Sequence, residues 1–335
     1  MRDGSPFKSI SVIGAGAWGT ALANIIARNG IETLLWAREA EVVASINSEH
    51  ENRLYLSGAT LDERLRATAD LAEAAAAEAF LFAAPAQFAR AALRDLRAEA
   101  AARAPVMLCS KGIEGGSGAL LTEVLSAVWP TSRAGVLSGP SFAKDVAQGL
   151  PTAVTLAADP ELGPSWVAAI GAPHFRPYLS DDLVGAELGG AVKNVLAIAA
   201  GVVMGRGLGE SARAAVIARG FAELARLGAA LGARRDTLAG LSGLGDLVLT
   251  ATSMQSRNYS LGVALGGGAA LTDILGSRTS VAEGVATAPA VIARAAKLQV
   301  DMPICAAVAE LVAGVRSIDE IIADLLARPF RAETA

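Results

Sequence analysis

The sequence predicts an α/β fold in two parts, a parallel-sheet unit over residues 1–182 followed by an all-α unit over residues 183–335. Three observations predict it. The β-formers Ile10, Val12 and Ile13 lead directly into a turn containing Gly14, Gly16 and Gly19, and an Ala-rich helical segment follows. Short apolar runs then alternate with helix-period segments as far as Tyr178, the pattern of strands joined by crossover helices. From Ser180 onward nearly every segment has helical periodicity, with Gly/Ser turns between most of them.

In the first strand-turn-helix, Gly14 permits the tight turn and Gly16 removes the Cβ that would keep a phosphate at a distance. Gly19 lets the helix pack closely on the strand. Unpaired N–H groups at the helix start, aided by the helix dipole, then favour an anion. This is the pyrophosphate cradle of a Rossmann-type dinucleotide-binding domain. Asn29 and Gly30 stop the helix, and Thr33 to Trp36 form the second strand. NAD-selective sites place an acid at the end of this strand for the ribose diol. Here the strand ends in Ala37, Arg38 and Glu39. Arg38 suits contact with a ribose 2′-phosphate or stacking on the adenine, and Glu39 pulls the other way, so the cofactor expected is NADP or NAD with NADPH preferred.

A helix is expected over Glu39 to Asn47, then a polar loop, His50 to Leu56, whose one aromatic, Tyr55, is a candidate for the cofactor's edge. Ala79 to Ala83 reads as a buried strand, Ala86 to Arg103 as a helix and Pro105 to Cys109 as the next strand. Ligands of open α/β sheets lie beyond the carboxyl ends of the strands. Ser110, Lys111 and Gly112 stand there, and Lys111 can reach a ligand phosphate or hydroxyl. Val136 and Leu137 lead into the turn Ser138-Gly139-Pro140-Ser141-Phe142-Ala143, whose N–H groups and Ser141 hydroxyl can border a ligand. Pro151 to Ala157 and Phe175 to Tyr178 complete the sheet, with a helical segment between them.

The second unit is expected to hold helices over 183–205, 210–231, 257–266, 285–298, 303–313 and 317–327. In Glu187-Leu-Gly-Gly-Ala-Val-Lys-Asn194, Gly189 and Lys193 are four apart and share a helix face. Each helical glycine costs about 1 kcal/mol relative to Ala, which points to something approaching that face closely. Lys193 beside it reads as a buried, ligand-facing amine whose proton affinity burial and neighbouring cations would lower. Asp246 stands between a glycine turn and an apolar run. A buried carboxylate needs a partner; Lys193 is one candidate, with Asp246 then orienting the amine or binding a substrate hydroxyl, and a cap on the helix starting at Leu247 is compatible with both roles. Ser256, Arg257 and Asn258 offer a cation suited to phosphate, flanked by two hydrogen-bonding side chains. Glu283 lies in a Gly/Ser-bordered loop where it can bond a nicotinamide amide or pair with Arg257.

Composition excludes several classes. A net charge of −4 and a pI of 5.4 leave no footprint for nucleic acid or an anionic membrane. Hydrophobic residues make up 53% of the chain, but many are alanine, and the apolar run from Val195 to Gly205 falls short of the ~20 residues a membrane span needs. Cys109 and Cys305 make no metal or redox spacing, and His50 and His174 form no cluster, so no metal is expected. No secretory apolar region precedes the first strand, so a cytosolic setting is expected. Self-association into a homo-oligomer is left open.

Taken in order, six segments resemble the bacterial NAD(P)-dependent glycerol-3-phosphate dehydrogenases over almost the whole chain. They run from the Val12–Ala21 glycine turn through Ser110-Lys-Gly, Ser138-Gly-Pro-Ser-Phe-Ala, Glu187-Leu-Gly-Gly-Ala-Val-Lys-Asn, Gly243-Leu-Gly-Asp-Leu-Val-Leu-Thr with Gln255-Ser-Arg-Asn, to Val281-Ala-Glu-Gly. The resemblance implies interconversion of dihydroxyacetone phosphate and sn-glycerol 3-phosphate, supplying the backbone of phospholipids. It implies that Lys193 is the proton acceptor, with Lys111, Gly139, Ser141, Asp246, Ser256, Arg257 and Asn258 around the substrate. It also implies that Ala17, Trp18, Arg38, Tyr55, Lys111, Ala143, Arg257, Val281 and Glu283 contact or border the cofactor. Ala17 stands where many members have Ser, Glu39 where a second basic residue is frequent, and Ala251 where Cys is common. The first departure removes a hydroxyl contact, and the second weakens the case for NADPH. Two rival readings share a Rossmann domain: a lysine-dependent β-hydroxyacid dehydrogenase, which calls for a carboxylate pocket, and a nucleotide sensor without catalysis. If Arg38 reads a 2′-phosphate, Arg38→Ala lowers the NADPH/NADH ratio of kcat/KM. Steady-state kinetics with both cofactors check this, and an unchanged ratio refutes it.

Overall fold

The computed structural model describes residues 7–276 and 282–329. Its first part is an eight-stranded sheet in the order β3-β2-β1-β4-β5-β6-β7-β8. The strands are β1 (Ser9–Ile13), β2 (Glu32–Trp36), β3 (Arg66–Thr68), β4 (Ala79–Phe82), β5 (Val106–Leu108), β6 (Ala134–Ser138), β7 (Thr152–Ala158) and β8 (Phe175–Ser180). Helices α1 (Ala17–Arg28), α2 (Ala40–Glu49), α3 (Leu71–Ala75), α4 (Ala89–Glu99), α5 (Leu121–Val128), α6 (Ala143–Ala147) and α7 (Gly163–Ile170) connect them. β1 pairs in parallel with both β2 and β4, Val12 lying opposite Leu35 on one side and Leu81 on the other. The order of strands reverses at β1, and the crevice so formed lies beyond the carboxyl ends of β1 and β4. The glycine turn sits there.

β7 is antiparallel to β6, with Ser138 opposite Thr155. Sequence patterning carries no strand direction, and the reason is in the connection. The segment with α6 turns back at the carboxyl end of β6 without crossing the sheet, whereas the segment with α7 crosses over and makes β8 parallel to β7. The helix expected over Ala86 to Arg103 is shorter: a 3₁₀ turn, Ala86–Phe88, precedes α4, and the backbone is extended at Ala100. β3 and α5 are elements that the sequence reading passed over.

The second part comprises α8 (Leu183–Gly205), α9 (Glu210–Ala230), α10 (Arg235–Ala239), α11 (Asp246–Ala251), α12 (Arg257–Gly266), α13 (Leu271–Gly276), α14 (Glu283–Lys297), α15 (Pro303–Val312) and α16 (Ile318–Leu326). A π-helical turn, Leu241–Gly245, feeds directly into α11. α8 is the axis of this part, packed by α9, α11, α12 and α14. Asp182 starts it, its carboxylate accepting the Gly185 and Arg234 N–H groups at 2.8 Å each. By length and composition α8 is apolar enough to cross a membrane, but most of it is buried inside the protein. Its closest neighbour is α12: a Cβ at Gly262 would meet the backbone of Ile198 and stand 3.0 Å from the Gly201 Cα. The N-terminal turns of α8 reach the sheet part, where Leu183 and Ala186 join the core around Phe82 and Val136.

Candidate active site

The glycine turn has the geometry that its residue types require. Gly14 has φ +112°, and a Cβ there would stand 2.6 Å from the Ala84 nitrogen. A Cβ on Gly19 would run into the Gly14 carbonyl, so close packing of α1 on β1 depends on its absence. Gly16 occupies the N-cap position of α1, and nothing lies within 4 Å of where its Cβ would be. That open side is where an anion meets the helix N-terminus. Ala17 and Trp18 follow in the first turn. The indole ring of Trp18 lies 5.9 Å from the Lys111 Nζ, and its Nε1 is buried without a hydrogen-bond partner.

On the far side, Arg38 is exposed just beyond β2, and Glu39 occupies the N-cap position of α2. Burial, and then the neighbouring Glu39 carboxylate, push the half-buried Tyr55 phenol up. Tyr55 thus lies close enough to Glu39 and Arg38 for their charges to act on it. Ala143 opens α6 and packs against the core beneath the turn. Glu283, the first residue of α14, reaches across to the sheet: its Oε1 accepts the Ala86 N–H at 3.2 Å, and its Oε2 is buried without a partner. Burial raises the Glu283 carboxyl, and the charge of Arg257 acts against that rise. Val281 lies outside the described residues.

The centre of the site is a buried carboxylate between two ammonium groups. Asp246 is 1% exposed; its Oδ1 accepts from Lys193 Nζ at 2.8 Å and its Oδ2 from Lys111 Nζ at 2.7 Å. Burial alone would raise this carboxyl, and the two lysines overcome it and hold it below the ordinary carboxylate range. Lys193 also donates to Thr250 Oγ1 at 2.8 Å, and Lys111 to the Gly139 carbonyl at 2.8 Å. An ammonium has three N–H donors, so each lysine retains one for a ligand. Burial brings Lys193 down to about 8; Asp246 opposes that fall, and the charges of Lys111 and Arg257 add to it. Ser141 donates its hydroxyl proton to the same Gly139 carbonyl at 3.0 Å.

Sequence pairing of Lys193 with Asp246 is therefore borne out by geometry, but Asp246 is not a helix cap. It is the first residue of α11, with Gly245 at the cap position and no side-chain cap bond. The close neighbour anticipated at Gly189 is backbone: a Cβ there would stand 2.5 Å from the Ser242 carbonyl oxygen and 2.9 Å from the Gly243 Cα. The π-helical turn lies against α8 at that point and so delivers Asp246 to Lys193.

Around this centre, Ser256 caps α12, its Oγ accepting the Tyr259 N–H at 3.1 Å. Arg257, one residue further, is exposed. Asn258 is a strut: it donates to Asn194 Oδ1 at 2.9 Å and accepts the Gly284 N–H at 2.9 Å, linking α12, α8 and α14. Asn194 donates in turn to the Lys111 carbonyl at 2.9 Å.

Residues 9–162 match the family model for the NAD-dependent glycerol-3-phosphate dehydrogenase N-terminus, and residues 182–323 match that for the C-terminus. The chain belongs to this family. The glycerol-3-phosphate dehydrogenase [NAD(P)+] of Parvibaculum lavamentivorans is 56% identical over 329 residues, covering 98% of this chain and 99% of that one. The enzyme of the same name from Rhodospirillum rubrum is 58% identical over 326 residues, covering 97% and 93%. Among solved structures, the glycerol-3-phosphate dehydrogenase of Coxiella burnetii superposes with a TM-score of 0.92 at 36% identity, covering 96% of this chain and 99% of that one.

Sequence reasoning missed Thr250, Asn194 and Glu187. Thr250 was accessible, being four residues from Asp246 on one helix face. Glu187 was not, because its partners are far away in the chain. It is buried on α8 and accepts the N–H groups of Leu121 and Thr122 and, at 2.7 Å, the Thr122 hydroxyl. Leu120, at the cap position of α5, has no side-chain acceptor, so a carboxylate from another helix caps it. Burial raises Glu187 to about 7 against those hydrogen bonds. A raised folded-state value means that the folded chain binds more protons than the unfolded chain between the two values. The stability so contributed is present at low pH and is lost as pH rises from about 4.5 to about 7. Glu187→Gln is expected to abolish a slope on the order of 3 kcal/mol over that range, read from urea unfolding at stepped pH.

Proposed function

We propose that this protein interconverts dihydroxyacetone phosphate and sn-glycerol 3-phosphate with NAD(P)H, using Lys193 as the proton donor in reduction and the acceptor in oxidation. The observation that carries this reading is the Lys193–Asp246–Lys111 constellation beside a dinucleotide cradle. The residues present fit the cofactor: Gly16 leaves open space at a helix N-terminus, and Glu283 Oε2 is a buried acceptor without a partner. Gly14, Gly16, Ala17, Trp18 and Gly19 would hold its pyrophosphate side, Arg38 and Tyr55 its adenosine side, and Ala143 and Glu283 would border the nicotinamide. When bound, the nicotinamide supplies or takes up the hydride.

The chain's own residues handle the proton and the charge. Lys193 gives its remaining N–H to the substrate oxygen. Asp246 and Thr250 hold that amine in place, and burial makes it a proton donor near neutral pH. Lys111 turns its remaining donor to the same ligand, bordered by Gly139 and Ser141. Arg257 meets the phosphate, with Ser256 and Asn258 fixing the start of α12 behind it. The two lysines and one aspartate sum to a positive centre, and Arg257 adds to it, which suits a phosphorylated substrate. We place the domain boundary at 182/183, where the sheet has ended and Asp182 caps α8. A preference for NADPH is assigned to Arg38. Two free, buried cysteines accord with a cytosolic setting, and supply of glycerol 3-phosphate to phospholipid synthesis is the role that follows.

Lys193→Met keeps the apolar stem and removes the proton, so hydride transfer should fall by about 10²- to 10⁴-fold with NADPH binding retained. Single-turnover kinetics measure this; a rate within a few-fold of wild type would move the role to Lys111. In the wild type, ketone reduction needs the protonated amine and should decline as pH rises through about 8, while alcohol oxidation should rise over the same range.

For Arg257→Ala, loss of a charged hydrogen-bonding contact corresponds to about 10- to 150-fold in kcat/KM for dihydroxyacetone phosphate. Unphosphorylated dihydroxyacetone should be nearly unaffected. Equal losses on both substrates would instead place Arg257 on the cofactor or the fold.

A further inference from the structure

The loop after α2 is polar in sequence, yet Asn52 within it is 0% exposed. Its amide nitrogen donates to the Ala15 carbonyl at 2.8 Å and to Thr20 Oγ1 at 2.8 Å, and its Oδ1 accepts the Tyr55 N–H at 3.0 Å. Thr20 Oγ1 itself donates to the Ala15 carbonyl at 3.3 Å. Two donors from the protein side thus hold the one carbonyl at the middle of the glycine turn.

That carbonyl governs the next N–H. In a trans peptide the C=O of one residue and the N–H of the following residue point in opposite directions, and no described peptide is cis. Holding the Ala15 oxygen against Asn52 and Thr20 turns the Gly16 N–H the other way. A glycine-rich turn is the place where a peptide can rotate most easily, and a rotated Ala15–Gly16 peptide would present a carbonyl oxygen to an incoming phosphate.

We propose that Asn52 is a positioning residue for the cofactor: it locks the Ala15–Gly16 peptide so that the Gly16 N–H is presented to the pyrophosphate, and through Tyr55 N–H it couples that turn to the loop at the adenosine end. The proposal rests on the dinucleotide part of the reading above and is independent of the triose substrate. The hydrogen-bond partners of Asn52, Ala15, Thr20 and Tyr55, lie outside the Lys193–Asp246–Lys111 centre.

The test is calorimetric titration of wild type, Asn52→Ala, Thr20→Val, Tyr55→Ala and Asn52→Ala/Tyr55→Ala with NADPH and with ADP-ribose, which keeps the pyrophosphate and lacks the nicotinamide. Asn52→Ala is expected to raise both dissociation constants by about 10- to 100-fold, the value of one hydrogen bond to a charged group, and Thr20→Val by a smaller factor. The loss should persist on the Tyr55→Ala background. With NADPH saturating, kcat and the KM for dihydroxyacetone phosphate of Asn52→Ala and Thr20→Val should stay within threefold of wild type, a split that general loosening of the fold would not produce. Unchanged dissociation constants in folded Asn52→Ala, or a loss that vanishes once Tyr55 is gone, overturns the proposal. If Asn52→Ala does not fold, Thr20→Val decides by whether ADP-ribose binding weakens or stays as in wild type. A wild-type protein that binds ADP-ribose but does not turn over dihydroxyacetone phosphate would refute the catalytic reading and leave this test standing.

Discussion

Asp246 is a carboxylate almost wholly removed from water, and its ionisation depends on the ammonium groups of Lys193 and Lys111 at hydrogen-bond distance. A buried charge is costly unless paired and hydrogen-bonded, and losing one member of such a group strands the others. The three residues come from different elements: Lys111 follows β5, Lys193 lies in the middle of α8 and Asp246 opens α11. The sheet part and the helical part must therefore dock in one arrangement for the charges to be satisfied. Electrostatics and architecture are the same constraint here.

α8 is where that constraint is met. Its glycines admit the π-helical turn on one side and Ser138 on the other, a Cβ at Gly190 falling 2.5 Å from the Ser138 Oγ. Its polar residues tie neighbouring elements: Glu187 caps α5, and Asn194 holds the Lys111 backbone and, through Asn258, α12 and α14. The helix is thus apolar enough to resemble a membrane span and yet carries, on faces turned toward other elements, the polar groups that hold those elements and the Lys193–Asp246–Lys111 cluster together. Buried polar groups with complete partners specify one packing among the many that hydrophobicity alone would allow.

The chemistry matches the family to which the chain belongs. A cluster with more positive than negative charge suits a phosphate-bearing ligand, and a lysine brought by burial to about 8 can exchange a proton near physiological pH without a histidine. Both histidines, His50 and His174, lie outside this cluster. Asp246 does two jobs in the arrangement, opposing the fall in the Lys193 proton affinity and holding its direction.

Much of this was legible in the amino-acid order. The glycine spacing after an apolar strand identified the cradle because backbone sterics at Gly14 and Gly19 are local, and the helices over 183–205 and 257–266 matched α8 and α12 because periodicity and capping act within a few turns. Lys193 and Asp246 stood out as charges beside glycines or apolar runs, and Arg257 as a cation between two hydrogen-bonding side chains. Other facts depend on elements distant in sequence. That Lys111 joins Lys193 on Asp246, that the neighbour of Gly189 is a π-helical turn, that Glu187 caps α5 and that Asn52 is buried under the glycine turn follow from contacts across 37 to 135 residues. No local propensity encodes such contacts. A polar residue in a loop has the same local signature whether it faces water or a backbone carbonyl, and only the packed structure, which removes the water, decides between them.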